Sequence, residues 1–196
     1  MEQRLKKGDE PLHVGKKSIG KTVGDFWAWT SSDLLNNTLR GSFGEFIVAS
    51  ALGIPLEQPQ MAWSPYDLQY GDHKVEVKTS AYLQAWHQNC NSVIEFKIPP
   101  THKWDAKTNQ SDSEIKRQAD VYVFCVLTCK DKKIVDPLDM NQWEFYVLRT
   151  DVLDAHCPTQ KNIRLNSLEK LQPQKTNFLQ LRETVDRILS ENIGNR

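Results

Sequence analysis

Two carboxylates and an amine can meet at one point within residues 66–78, which read Tyr-Asp-Leu-Gln-Tyr-Gly-Asp-His-Lys-Val-Glu-Val-Lys. In a strand, alternation of side chains puts Glu76 and Lys78 beside each other on one face. The Gly71-Asp72 pair is typical of a two-residue hairpin turn, which would bring Asp67 back beside Glu76. The sequence therefore predicts a cluster of two carboxylates and one lysine on a hairpin.

These side chains suit metal-assisted hydrolysis of a phosphodiester. Mg²⁺ takes hard oxygen ligands, usually one or two protein carboxylates together with a substrate phosphate. A bound ion of this kind polarises the phosphate and lowers the pKa of a bound water. An adjacent lysine would orient or help to deprotonate that water and would stabilise the negative charge that builds on phosphorus.

Residues 40–53, which precede the hairpin, are predicted to form a helix. Its apolar residues fall on one stripe at helical spacing: Phe43, Phe46, Ile47 and Ala51. Gly53 is a natural C-terminal stop, and the small residues Gly41 and Gly44 would let the helix approach a sheet closely. Glu45 has no cation at the neighbouring helical positions, so it needs water, a distant partner or a metal.

With Glu45 on a helix, Asp67 near the end of a first strand and Glu76-Val77-Lys78 on a second, the chain resembles the PD-(D/E)xK nuclease superfamily. This superfamily includes type II restriction endonucleases and Holliday-junction resolvases. The usual Pro-Asp is loosened, because Pro65 stands two places before the aspartate. The resemblance rests on the order of the motif residues and covers about residues 40–127.

The resemblance implies roles for the motif residues. Asp67, Glu76 and the carbonyl of Val77 would hold Mg²⁺ or Mn²⁺, and Lys78 would position the attacking water. Glu45 would bind a second metal ion or tune the first. These implications make the expected protein a metal-dependent nuclease that hydrolyses DNA, in restriction, defence or repair.

The expected fold is α/β, with a restriction-endonuclease-like core in which a central mixed β-sheet is flanked by helices, and with extra N- and C-terminal helices. Residues 1–21 are expected to be a flexible basic arm. Residues 22–196 are expected to form a single nuclease domain, with a core at about 40–150 and a helical extension at about 150–196. The remaining elements are predicted as helices at 23–35, 111–119 and 176–189, the last capped by Thr176, and as strands at 62–68, 93–98, 121–127 and 143–148.

Several polar side chains after the motif are candidates for substrate binding. Ser80, Gln84 and Gln88 carry groups suited to phosphate or base edges. Arg117, expected on the helix before the central strand, could clamp a phosphate or be a solvated surface residue. Tyr82 and Trp86 could stack on bases or fill the core, and the sequence leaves both interpretations open.

The composition limits the classes of protein. Lys and Arg number 25, as do Asp and Glu, and this neutral balance argues against a large basic footprint for nucleic acid. The amino-terminal arm is locally basic and would either hold a phosphate backbone or serve as a solubilising tail. No long apolar run or signal-peptide core occurs, so we expect a cytoplasmic protein with no membrane contact. The four cysteines lack paired C-x-x-C spacing, so we expect them reduced, with neither zinc nor an organic cofactor.

Alternatives remain open at the level of sequence. A Glu-x-Lys pair in a strand is often only a solvated face with a weak ion pair. The chain could also be a catalytically inactive module with the same fold that binds nucleic acid, or an interaction domain that binds none. A homodimer would offer two sites for the two strands of a duplex.

Overall fold

The computed structural model describes residues 4–60, 64–105 and 110–191. In chain order its strands are β1 (Pro11–Val14), β2 (Lys17–Thr22), β3 (Leu68–Tyr70), β4 (His73–Ala81), β5 (Glu95–Lys97), β6 (Thr101–Asp105), β7 (Gln110–Lys116), β8 (Val121–Leu127), β9 (Trp143–Arg149), β10 (Asn162–Arg164) and β11 (Gln174–Thr176). Its helices are α1 (Val23–Ser31), α2 (Asn37–Leu52), α3 (Thr150–His156), α4 (Leu165–Lys170) and α5 (Leu181–Ser190). Two short 3-10 turns, Met140–Gln142 and Phe178–Gln180, precede β9 and α5.

A five-stranded sheet with the order β11-β9-β8-β4-β3 forms the centre of the molecule. Strands β4 and β8 are parallel, whereas the other neighbours are antiparallel, so the sheet is mixed. Strand β8 is apolar throughout and buried along its whole length, as its uninterrupted apolar sequence predicts for a strand covered on both faces. The expected α/β class, with a central mixed sheet flanked by helices, is confirmed in these terms.

The two faces of the sheet are covered by different elements. Helices α2 and α5 pack on one face, over a core that includes Val77, Val123 and Phe145. The other face, which carries Phe124 and Tyr146, is covered by the β5–β10 ribbon with α3 and α4. Because alternate residues of β4 point to opposite faces, the even-numbered residues Glu76 and Lys78 belong to the ribbon side.

Helix α2 begins and ends on recognisable signals. The Asn36 side chain accepts a hydrogen bond from the backbone N–H of Thr38 at 3.0 Å, as an N-cap does. Gly53 closes the helix in the left-handed conformation, with φ at +70°, as the sequence predicts. Within the helix, a Cβ added to Gly44 would collide with Cγ2 of Thr79 on β4. The prediction of a close helix–sheet approach therefore holds at Gly44, although a Cβ at Gly41 would meet only open space.

Part of the segment 1–21, which was predicted to be a flexible basic arm, has regular secondary structure. Strands β1 and β2 pair as a hairpin whose turn contains Gly15 at φ +59°, a backbone conformation that glycine adopts without strain. Every residue of β1 is exposed, and no residue of α1 is buried. Leu12 and Val14 alternate with polar residues along β1, but Ile19 is the one large apolar residue of β2, so the strand period in the sequence is weak. Residues 1–3 lie outside the described part of the chain.

Two further predictions are wrong. The helix predicted at 111–119 is instead β7, whose backbone groups pair with β6 across an antiparallel hairpin. A helix starting at Thr176 is also wrong, because Thr176 pairs with Phe145 at the edge of the sheet. Asn177 caps the following 3-10 turn, and α5 begins only at Leu181. In both places cross-strand pairing overrides a weak helical pattern.

Other predicted elements are placed with different bounds or with additions. The predicted strand at 93–98 is reduced to β5. Of the predicted strand at 62–68, residues 62–63 lie outside the described part, residues 64–67 are not in a strand, and only Leu68 belongs to β3. Asp67 therefore lies just before a strand and not near the end of one. The region from 150 onwards is not only helical, because β10 pairs with β5 and β11 is an edge strand of the central sheet. Over the described residues no helix is long and apolar enough to cross a membrane.

Candidate active site

The β3–β4 hairpin brings the two acidic motif residues together. Tyr70 pairs with His73 across a turn at Gly71, whose φ of +55° is the conformation that glycine allows. Asp67 lies just before β3, and its Oδ2 accepts a hydrogen bond from the backbone N–H of Val77 at 2.7 Å. The hairpin therefore fixes the Asp67 carboxylate against the strand that carries Glu76 and Lys78.

Lys78 joins the two carboxylates. Its Nζ lies 2.5 Å from Oε1 of Glu76 and 3.9 Å from Oδ2 of Asp67. The three side chains are between 18% and 26% exposed, so the cluster is partly shielded from water yet reachable from solvent. This arrangement of two carboxylates around one ammonium is the one that strand alternation and the hairpin turn predict.

Glu45 reaches the same cluster from α2. The close packing of Gly44 against Thr79 allows α2 to approach β4. Glu45 accepts a hydrogen bond from the Nε2 of Gln60, and the negative charges of Asp67 and Glu76 affect its pKa. Its partner is therefore distant in sequence, as the lack of a cation on its own helix predicts.

The electrostatics of the cluster are those of crowded, partly buried carboxylates. Burial, assisted by the charge of Asp67, raises the pKa of Glu45 to about 7. Burial likewise raises the pKa of Asp67 and of Glu76, although Lys78 pulls both in the opposite direction. Burial lowers the pKa of the Lys78 ammonium, but the attraction of Glu76, Asp67 and Glu45 outweighs burial, so its pKa lies above the ordinary value.

The carboxylate oxygens of the cluster are ligands suited to a divalent cation. Three carboxylates face one ammonium, so the cluster carries more negative than positive charge when it is ionised, and its acidic donors are all oxygens. Among residues 4–60, 64–105 and 110–191, no three His, Cys, Asp or Glu side chains are arranged as a complete metal centre. A site of two carboxylates completed by water and substrate phosphate needs no third side chain, so Asp67 and Glu76 fit Mg²⁺ or Mn²⁺ in this open form.

A cleft of about 240 Å³ opens beside the cluster, and we call it the first cleft. Glu76 and Lys78 line it together with Lys97, Arg117 and Tyr122. Tyr122 stands opposite Glu76 in the parallel β4–β8 pairing, and burial together with the charge of Glu76 raises the pKa of its hydroxyl. Lys97 is exposed at the rim, so an anion entering the cleft would meet positive charge.

The predicted substrate-binding residues after the motif do not all reach this cleft. Ser80 is buried on β4. Gln84 is buried and donates to the carbonyl of Ala81 while its Oε1 accepts from Arg40 at 3.2 Å. Gln88 donates to the carbonyl of Tyr82 and accepts from the backbone N–H of Gln84 at 2.6 Å. The two glutamines thus hold the loop after β4 in place.

The two aromatic residues of that loop differ in their surroundings. Trp86 is 54% exposed, so it does not fill the core. Tyr82 is partly buried, and the ammonium of Lys130 lies 4.3 Å from the centroid of its ring. Tyr82 therefore combines a packing role with a face towards a cation.

Arg117 lies beyond the end of β7 rather than on a helix, and its guanidinium is already occupied. Its Nε donates to the carbonyl of Ile98 at 3.0 Å, and one terminal nitrogen lies 2.6 Å from a carboxylate oxygen of Asp154. The other terminal nitrogen donates to the carbonyl of Cys157 at 2.7 Å. Arg117 contributes to the wall of the first cleft while fixing three separate segments of the fold.

Sequence reasoning missed three residues of this region. Arg40 is buried on α2 and links that helix to the loop after β4 through Gln84. Gln60 and Lys97 reach the site from a loop and from a short strand. A charged residue at the buried end of an apolar helix was a signal for Arg40, but nothing local distinguishes Gln60 or Lys97 from surface residues.

Comparison of the chain with protein-family models, with curated proteins and with solved structures found no match. What the chain does is therefore inferred from the side chains of the cleft and from their geometry.

Proposed function

We propose that this protein is a Mg²⁺- or Mn²⁺-dependent nuclease of the PD-(D/E)xK type that hydrolyses phosphodiester bonds of DNA. The observation that carries the proposal is the position of the Lys78 ammonium, 2.5 Å from Glu76 and 3.9 Å from Asp67, at the edge of an open cleft. Carboxylates that share a lysine on a hairpin are the donors that this hydrolysis requires.

The proposed fold is a restriction-endonuclease-like core. Helix α2 and the β3–β4 hairpin come in the order of the motif, and the central strands β8 and β9 follow after β5, β6 and β7. Helix α2 supplies Glu45, the hairpin supplies Asp67 and Glu76, and the parallel pairing of β4 with β8 supports the strand that carries Lys78.

Each side chain has a defined part in the proposed reaction. Asp67 and Glu76, with the Val77 carbonyl, would hold the ion, and Glu45 would hold a second ion or tune the first. When bound, the ion supplies Lewis acidity that polarises the phosphate and lowers the pKa of a bound water. The backbone N–H of Val77 orients the Asp67 carboxylate, so its free lone pairs keep one direction.

Lys78 acts as a charged donor in this proposal. Its pKa lies above the ordinary value, so it is an ammonium at neutral pH. One of its N–H groups is engaged by Glu76, and the others can orient the attacking water and stabilise the charge that develops on the phosphoryl oxygens. The rim residue Lys97 adds positive charge for an incoming phosphate.

The exposed Lys97 at the edge of the first cleft suits a phosphate backbone, and DNA is proposed as the substrate because the resemblance to PD-(D/E)xK nucleases implies it. Restriction, defence and repair are all processes that use such an activity.

A nicking assay on supercoiled plasmid with Mg²⁺ or Mn²⁺ tests the proposal. Lys78→Ala should lower the rate by about 10²–10³-fold or more, because charge stabilisation in the transition state is lost. Lys74→Ala is the matched control, since Lys74 is four residues earlier on the same strand and face, and it should cut at the wild-type rate. Equal rates for wild type and Lys78→Ala would show that Lys78 has no catalytic part.

The same assay separates the alternatives. A protein that binds DNA at low salt but never nicks it with either ion would be a binding module with an inactive site. A protein that binds no DNA even at low salt, where the phosphate contribution is strongest, would be an interaction domain.

A further inference from the structure

A second cleft, of about 360 Å³, opens beyond the end of β4. Its wall includes Tyr82, Lys130 and Arg164, together with the side chains of Asn91 and Asn166. The volume lies in the range of pockets that hold small organic groups such as a base with its phosphate. No carboxylate belongs to the described residues of this wall, so its charge favours an anion.

The two cations of the second cleft make only weak contacts, and its two asparagine side chains make none that is a hydrogen bond among the described residues. Lys130 is exposed and contacts the ring of Tyr82, at 4.3 Å from the centroid. Arg164 has a side chain that is 71% exposed, and its Nε lies 3.6 Å from a carboxylate oxygen of Glu95, a weak surface pair. Within the described part of the chain, the side chains of Asn91 and Asn166 make no hydrogen bond. These groups are therefore available to a ligand.

Both clefts lie on the same face of the sheet. Tyr122 and Ile98 of the first cleft belong to the core on the ribbon side of the sheet, as does Ile94 of the second cleft, and Tyr82 packs against the same core. The segment 93–98 crosses this face, and its two ends line different clefts: Val93 and Ile94 line the second, and Lys97 and Ile98 line the first.

We infer that the second cleft binds the substrate DNA strand next to the first cleft, where the bond is cleaved at Lys78, an inference that rests on the proposed nuclease function. Lys130 and Arg164 hold phosphates of that strand, and Asn91 and Asn166 reach the edges of its bases. The first cleft then carries out the reaction, while the second fixes the register of the strand.

Binding of a fluorescein-labelled 20-base-pair duplex, followed by anisotropy at several salt concentrations, tests this inference. All proteins carry Asp67→Asn so that no substrate is cut. Adding Lys130→Ala and Arg164→Ala should raise the Kd about tenfold or more. Because two phosphate contacts are lost, the slope of log K against log salt should fall by about 1.8.

The control adds Arg182→Ala and Arg187→Ala, which removes two exposed cations of α5 on the opposite face of the sheet. This control should bind like the Asp67→Asn parent, and all variants should keep its thermal unfolding curve. Unchanged affinity and salt slope in the Lys130 and Arg164 variant would overturn the inference, as would an equal loss in the control.

Cleavage by the proteins without Asp67→Asn separates this inference from the proposed function. If the second cleft binds the strand, Lys130→Ala with Arg164→Ala should slow cleavage of the 20-base-pair duplex, whereas the control pair Arg182→Ala with Arg187→Ala should not. Binding that depends on these two cations, without cleavage by the wild type, supports the inference and contradicts the proposed function. If the wild type cleaves DNA but its binding does not depend on Lys130 and Arg164, the proposed function is supported and the inference is contradicted. Absence of DNA binding contradicts both.

Discussion

The Asp67 carboxylate accepts a hydrogen bond from the backbone N–H of Val77 at 2.7 Å, across the base of the β3–β4 hairpin. This bond ties a side chain on one strand to the residue that separates Glu76 from Lys78 on the next. The carboxylate is therefore positioned by backbone geometry rather than by side-chain packing. Because the hairpin backbone sets the position of Asp67, substitutions of the cluster side chains can test the chemistry without moving β3 or β4.

Glu45 should make the stability of the metal-free protein depend on pH. Its pKa rises from 4.5 to about 7 on folding, so the folded state binds more protons than the unfolded state in this interval. Stability should therefore fall as pH rises from about 4.5 to about 7. Glu45→Gln removes this contribution. At pH 4.5 the variant should therefore have nearly the same unfolding free energy as wild type. At pH 8 it should be more stable than wild type by about 1–2 kcal/mol, a figure reduced to allow for solvent screening.

Urea unfolding in EDTA at several pH values measures this difference. Glu57→Gln is the control, because Glu57 is an exposed carboxylate of the following loop. A Glu45→Gln variant that follows the wild-type curve at every pH would show that Glu45 lies in an ordinary aqueous environment.

Gly44 should tolerate no side chain while Thr79 keeps its methyl group. A Cβ at Gly44 would collide with Cγ2 of Thr79, whereas the next atom of Thr79 lies at an ordinary 3.6 Å. Gly44→Ala should therefore cost about 1–3 kcal/mol of unfolding free energy, as overpacking does. Thr79→Ser removes the methyl group, so the double variant should recover most of the loss.

Chemical denaturation of the two single variants and the double variant forms the cycle that measures this coupling. Gly41→Ala is the control on the same helix, since a Cβ there meets open space. Strict additivity of the Gly44 and Thr79 changes would mean that α2 does not press on β4 at this point.

Arg117 should be a structural residue that lysine cannot replace. Its side chain is fully buried and donates to the carbonyls of Ile98 and Cys157 while pairing with Asp154. A lysine ammonium cannot make these three interactions in one plane as a guanidinium does. Arg117→Lys should therefore lower the unfolding free energy by about 2–3 kcal/mol. Arg164→Lys, at an exposed ion pair, should change stability by less than about 0.5 kcal/mol when both are measured by thermal unfolding.

Lys78 should matter differently with and without a divalent ion. Removing its ammonium leaves the charges of Asp67 and Glu76 facing each other, so Lys78→Ala should lower the Tm in EDTA at pH 8. Mg²⁺ or Mn²⁺ should raise the Tm of this variant by more than it raises that of wild type, because it replaces the missing positive charge. Scanning calorimetry with and without the ion measures both shifts, and equal shifts would contradict an ion site at these carboxylates.

The positions of the clustered side chains could be predicted from the sequence more fully than the fold could. Strand alternation and the Gly71 turn place Asp67, Glu76 and Lys78, because local geometry decides their positions. The pairing of β6 with β7 could not be foreseen, because the sequence of β7 has a weak helical pattern and no strand period. The partners of Arg117 lie 19 to 40 residues away, and no local pattern indicates contacts at such separations.

Calorimetric titration of Mg²⁺ and Mn²⁺ into wild type, Asp67→Asn and Asp72→Asn, with plasmid nicking on the same samples, tests the central claim most directly. Asp72 is an exposed carboxylate in the turn of the same hairpin, so its variant controls for general loss of charge. We predict that wild type and Asp72→Asn bind the ion and nick DNA, while Asp67→Asn does neither and still binds DNA. Ion binding or nicking by Asp67→Asn at the wild-type level would contradict the assignment of this cluster as a metal-dependent nuclease site.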